Sequence, residues 1–129
     1  MVISASVSKK DEAIDKWIKY WNNKGGTVIK CPAKIEKKKI QSLWPKVHKD
    51  FYKSLSGTDI HFIANEDRDN YSGYVGVGTF SELAFSVGLN LSRDKKIDIF
   101  IYKIPDKRSV FYEDITRWLK LGWIKLLKK

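Results

Sequence analysis

Two stretches decide the fold: Asp59-Ile60-His61-Phe62-Ile63-Ala64-Asn65 and Gly76-Val77-Gly78-Thr79-Phe80-Ser81-Glu82-Leu83-Ala84. The first is a near-continuous apolar run, as expected of a central strand in a parallel sheet covered on both faces. The second is a glycine-rich turn that runs into an apolar helix. A helix opening on such a turn points backbone N–H groups above the strand ends, where a phosphate or another anion is favoured. Glu82 stands one turn inside that helix, so its carboxylate can reach the same crevice. Backbone donors for a phosphate and a carboxylate for a sugar's reactive carbon together suit the breaking of a base–sugar bond.

Strand and helix signals alternate on either side of this unit. Val2–Ser6 reads as a first strand, and Ser8 can cap the helix after it, with Asp11 and Glu12 in the first turn. Ala13, Ile14, Trp17, Ile18 and Trp21 recur at helical spacing, and Gly25-Gly26 ends the helix. Thr27–Cys31 reads as a second strand stopped by Pro32. Residues 36–55 are amphipathic and mostly helical, with Pro45 as a kink or a first-turn marker. Asp59–Asn65 is the third strand, Glu66–Tyr74 a polar loop, Thr79–Leu91 a helix and Ile97–Lys103 the fourth strand. Ser109–Lys128 reads as one long last helix. Repeated β–α units imply parallel strands joined by right-handed crossovers. The expectation is one domain, residues 1–129, with a small doubly wound sheet, flavodoxin-like or Rossmann-like, in the order 2-1-3-4. Its ligands would bind at the carboxyl ends of strands 1 and 3, where the order reverses.

A resemblance is carried by residues 59–65, by Gly73-Tyr74-Val75-Gly76-Val77-Gly78-Thr79 and by Glu82-Leu83-Ala84-Phe85-Ser86. These resemble the nucleoside 2-deoxyribosyltransferase-like family, which includes the 2′-deoxynucleoside 5′-phosphate N-hydrolases. Gly76-x-Gly78-Thr79-x-x-Glu82-Leu83 is also similar to the phosphoribohydrolases related to lysine decarboxylase-like proteins, which are usually longer. The resemblance implies chemistry at an N-glycosidic bond, with Glu82 as nucleophile on the anomeric carbon. An oxocarbenium-like transition state needs such a carboxylate, to bond covalently or to stabilise charge. The second acid would be Asp67 or Asp69. Ser4, Ser6 and Ser8 on the first-strand loop, with Asn65, Gly76, Gly78 and Thr79, would hold the sugar or its phosphate. The family's Gly after Glu-Leu is Ala84 here, and its Asp before the Gly–Thr turn is Val77.

Glu82 has a plainer reading. Thr79-Phe80-Ser81-Glu82 matches a capping box, with Thr79 as N-cap and Glu82 at N3. The glycines then only permit a tight turn. The competing functions are a non-catalytic nucleotide-binding or sensing domain, and a basic adaptor for a nucleic acid or a membrane surface.

The net charge of +10 is uneven: residues 1–58 hold 13 Lys against 5 acids. Such an excess favours an anionic partner. Neither Lys37-Lys38-Lys39 nor Lys128-Lys129 alternates with aromatics. The single cysteine, Cys31, reads as a buried inert thiol in a reducing setting. With no signal pattern and no membrane-length apolar run, the expected location is cytoplasmic. Two His and one Cys offer no zinc spacing, and neither G-x-S-x-G nor a Walker sequence occurs. No metal or cofactor is implied. His61 reads as a strand residue and His48 as lying on the polar side of its helix. Phe111, Ile115, Trp118, Gly122 and Leu126 stripe the last helix, and Leu121, Trp123, Ile124 and Leu127 widen it. That surface fits a homo-oligomer contact, with a membrane-surface helix as the lesser alternative.

Overall fold

The computed structural model of the chain describes residues 1–6, 11–31 and 40–128. Four strands form one all-parallel sheet: β1 (Val2–Ser4), β2 (Ile60–Ile63), β3 (Asp98–Ile101) and β4 (Lys125–Leu126). The helices are α1 (Asp11–Asn23), α2 (Ile40–Gly57), α3 (Val77–Ser92) and α4 (Tyr112–Leu121). The strands lie in the order β1-β2-β3-β4. The expected order 2-1-3-4 is not formed, because residues 27–31 contribute a single parallel bridge, Lys30 beside Val2, and no strand. Two backbone bonds flank that bridge: Ile29 N–H to the Met1 carbonyl and Ile3 N–H to the Lys30 carbonyl, both 3.0 Å.

Successive strand side chains point to opposite faces, and each face has its own cover. Ile3, Phe62 and Ala64 face α1, where Trp17 and Trp21 close over them. Trp17 is fully buried and lies 4.7 Å, ring to ring, from both Phe62 and Tyr102. Its indole N–H donates to the Glu66 carboxylate at 2.9 Å, so the ring is buried without an orphaned donor. On the opposite face Val2 meets Phe51 and Leu55 of α2. There too, Ile63, Ile99 and Ile101 meet Leu83 and Val87 of α3 and Ile115 of α4. Burying each such aliphatic or aromatic side chain contributes about 1.5–3 kcal/mol.

The last helix is shorter than its apolar run suggests. Gly122 takes φ 75° and ψ 11°, a left-handed conformation that closes α4 at Leu121. The Trp123 N–H then bonds the Trp118 carbonyl at 3.0 Å, and the chain turns back to pair Lys125 with Phe100 and Leu126 with Ile101. The stripe expected over residues 109–128 is therefore split between a helix and an edge strand. Thr116 and Arg117 face outward enough that only Ile115 of α4 is fully buried.

Candidate active site

Because the sheet is parallel, Ser4, Ile63 and Ile101 end their strands on one side. The chain leaving β2 there is tied down before it enters α3. Asn65 is buried and uses its whole amide: it donates to the Gly73 and Lys103 carbonyls at 3.2 and 2.8 Å and accepts from the Lys103 N–H at 3.0 Å. Gly73 has φ +59°, and a Cβ there would stand 2.9 Å from the Ile104 carbonyl oxygen. Only glycine fits that corner. These contacts aim the following segment, Tyr74-Val75-Gly76, back across the strand ends.

Helix α3 begins at Val77, with Gly76 as an extended N-cap and no side-chain cap bond. The capping-box reading is thereby overturned. The helix starts two positions before the expected Thr79, so Thr79 sits within the first turn and Glu82 lies beyond reach of the orphan N–H groups. Thr79 is buried, and its hydroxyl pairs with Ser6 Oγ at 3.1 Å. Ser6 Oγ also accepts the Gly76 N–H at 2.9 Å. A Cβ on Gly76 would stand 2.8 Å from that same oxygen, so this glycine is fixed by close approach. Gly78 differs: nothing lies within 4 Å of a Cβ built there.

Glu82 is half-buried on the same side of α3. Burial pushes its carboxyl up to about 7, opposed by a hydrogen bond from the Ser4 side chain. Ser4 is fully buried, and its Oγ lies 2.7 Å from His61 Nε2. His61 is also fully buried, with Nδ1 2.7 Å from Ser86 Oγ. Burial drives the imidazole down to about 3, so the ring is neutral. Ser4, His61 and Ser86 thus form a buried hydrogen-bonded chain whose Ser4 end lies beside the Glu82 carboxyl.

That chain serves both states of the carboxyl. When Glu82 is protonated it donates to Ser4, Ser4 donates to Nε2, and Nδ1–H donates to Ser86. When Glu82 is ionised every bond reverses: Ser86 donates to Nδ1, Nε2–H donates to Ser4, and Ser4 donates to the carboxylate. A neutral imidazole provides one donor and one acceptor, so a change of tautomer follows the proton on Glu82 without charging the ring.

The sequence-predicted residues divide into two groups. Ser4, Ser6, Gly76, Thr79 and Glu82 converge at the head of α3. Gly78 lies on the first turn of that helix. Asn65 is committed to the loop beneath. Asp67 accepts the Gly73 N–H at 2.9 Å and Lys103 Nζ at 3.0 Å, which hold its carboxyl below the usual range. Asp69 has φ 51° and pairs with Arg68 at 3.3 Å. Asp67 therefore braces the loop between residues 65 and 73, while Asp69 is exposed and pairs with its chain neighbour. Ser8 lies outside the described residues. His61 and Ser86 were not anticipated as site residues. The signal for His61 was a polar side chain within an otherwise apolar strand, which a strand reading alone treats as core. Tyr52, whose hydroxyl is raised by burial and then by the Glu82 charge, was also missed.

Among the described residues, no group of three or more His, Cys, Asp or Glu converges as a metal site requires. No helix among them is long and apolar enough to cross a membrane. Comparisons with protein-family models, with curated proteins and with solved structures returned no match.

Proposed function

We propose that this chain cleaves or transfers the N-glycosidic bond of a nucleoside or nucleotide, with Glu82 at the anomeric carbon. The single observation behind this reading is that Glu82 caps nothing. It is held half-buried in the crevice by Ser4, with a carboxyl poised near neutrality at about 7. A strongly shifted carboxyl in a cleft is where acid, base or nucleophilic chemistry concentrates. In its ionised form Glu82 attacks the anomeric carbon as the base departs, and water or an acceptor base then displaces the carboxylate from the glycosyl ester. The Ser4–His61–Ser86 chain accommodates the proton when the carboxyl is neutral. The first-turn N–H groups of α3, beside the open space at Gly78, are the donors for a sugar oxygen or a 5′-phosphate.

A flavodoxin-like or Rossmann-like sheet is part of the proposal. The Lys30 bridge beside Val2 supports residues 27–31 as the outer strand of the order 2-1-3-4. Exposed Leu121, Trp123 and Leu126 give a homo-oligomer an apolar contact at the end of α4 and along β4. The test is base release, read by chromatography, from a panel of nucleosides and 5′-monophosphates, deoxy and ribo. Wild-type release that Glu82→Gln abolishes supports the reading. No release from any substrate, with or without an acceptor base, while nucleotides still bind equally to both proteins, makes the chain a binding domain instead.

A further inference from the structure

Helix α2 carries two ridges side by side. Trp44, His48 and Tyr52 form the first, at i, i+4 and i+8. Trp44 is stacked on His48 with centroids 4.5 Å apart and planes at 15°. His48 meets Tyr52 at 4.6 Å, and Tyr52 meets Phe85 of α3 edge-on at 4.8 Å. Tyr52 is the residue whose hydroxyl feels the Glu82 charge, so the ladder runs from the surface to the candidate site. Phe51 and Leu55 carry the packing of α2 on the sheet, with Tyr52 packed against them, and Trp44 and His48 lie outside that cluster. Trp44 is 51% exposed.

Rows of residues four apart are neighbouring ridges on a helix, so Pro45, Lys49 and Lys53 run alongside the ladder. Both lysines are exposed. Over residues 34–53 the sequence holds seven Lys against two acids. The aromatic ridge spans about 12 Å at the helical rise.

We propose that this face of α2 binds single-stranded nucleic acid, with a base stacked on the open face of Trp44, which His48 backs, and phosphates on Lys49 and Lys53. Stacked aromatics flanked by cations are the means by which single strands are held without sequence preference. A duplex keeps its base faces inside its own stack and cannot use the ladder. The binding needs only α2. That the strand presents a nucleotide to Glu82 rests on the glycosidic reading above.

The test is fluorescence anisotropy with labelled 12-residue oligothymidylate and oligouridylate, the corresponding duplex, and thymidine monophosphate as competitor, at two salt concentrations. Trp44→Ala should weaken binding of the single strands roughly tenfold, with the far-UV circular dichroism unchanged. Lys49→Gln with Lys53→Gln should flatten the slope of log affinity against log salt by about 1.4, the share of two single-strand phosphates. Trp44→Ala binding within twofold of wild type, or duplex bound as well as single strand, overturns the proposal. So does a Trp44→Ala chain that turns from dimer to monomer at unchanged oligonucleotide affinity, since a second copy then covers the ladder. Glu82→Gln keeps strand binding under this proposal. Strand binding without base release from any substrate therefore removes the glycosidic reading and leaves this one standing.

Discussion

Glu82→Gln should make the protein more stable above neutral pH and leave it unchanged in acid. The carboxyl ionises near 4.5 when unfolded, and burial raises this to about 7 in the folded chain. Between these values the folded state holds a proton that the unfolded state has released. Stability therefore falls as pH rises through that window. Each tenfold change in proton affinity is worth 1.36 kcal/mol, so the full loss is about 3 kcal/mol. Gln resembles the protonated acid and carries nothing to lose. The difference between the two proteins should be near zero at pH 4, grow from about pH 4.5 to 7, and level off at about 3 kcal/mol by pH 8. For a chain of this size that is roughly 10 °C in Tm. His61 also affects the pH dependence, since the ring is neutral when folded and would charge below its ordinary value of 6.5 on unfolding. That contribution is common to both proteins and cancels in the difference. Urea unfolding followed by tryptophan fluorescence from pH 4 to 8.5 measures it. A Gln variant no more stable than wild type at pH 8 would refute the reasoning, because the carboxylate would then be as well solvated as in the unfolded chain.

Ser4→Ala removes the hydrogen bond that opposes burial at Glu82. The pH at which wild-type stability and turnover change should move upward, seen as a rightward shift of the same profiles. Ser6→Ala deprives the Gly76 N–H and Thr79 hydroxyl of their partner and should cost about 1–2 kcal/mol in chemical unfolding. Gly73→Ala places a Cβ 2.9 Å from a carbonyl oxygen at φ +59° and should cost roughly 1–3 kcal/mol by the same measurement. An exposed alanine at Gly78, where space is open, should affect ligand affinity more than stability.

The parallel sheet was legible because residues 60–63, His61 apart, and 99–101 carry apolar side chains on both faces, as a doubly covered strand does. The edges were harder to read. Thr27–Cys31 has a strand's composition, yet edge pairing depends on neighbours, and only Lys30 reaches β1. Residues 123–127 continue the hydrophobic run of α4. A single left-handed glycine at 122 outweighs that pattern, since the helix cannot pass it without giving up its closing bonds. At the site, the glycines, Ser6, Thr79 and Glu82 could be found from spacing. Which of them was a cap could not, because T-x-x-E fits both a helix starting after Thr79 and one starting at Val77. Tertiary contact decided it: Ser6 takes both the Gly76 N–H and the Thr79 hydroxyl. The buried chain through His61 joins β1, β2 and α3, and no local pattern records such a meeting. The resemblance offers Asp67 or Asp69 as the second acid, and the bond from the Gly73 N–H to Asp67 is a loop contact that no spacing records.

The most direct test of the account is intact-mass and peptide-mass spectrometry of the protein quenched during reaction with a slow, 2-fluorinated nucleoside. The account predicts a gain of one sugar residue, located on the peptide that contains Glu82 and absent from Glu82→Gln. Base release with the chain unmodified and Glu82→Gln fully active, or a sugar found on any other residue, would contradict it.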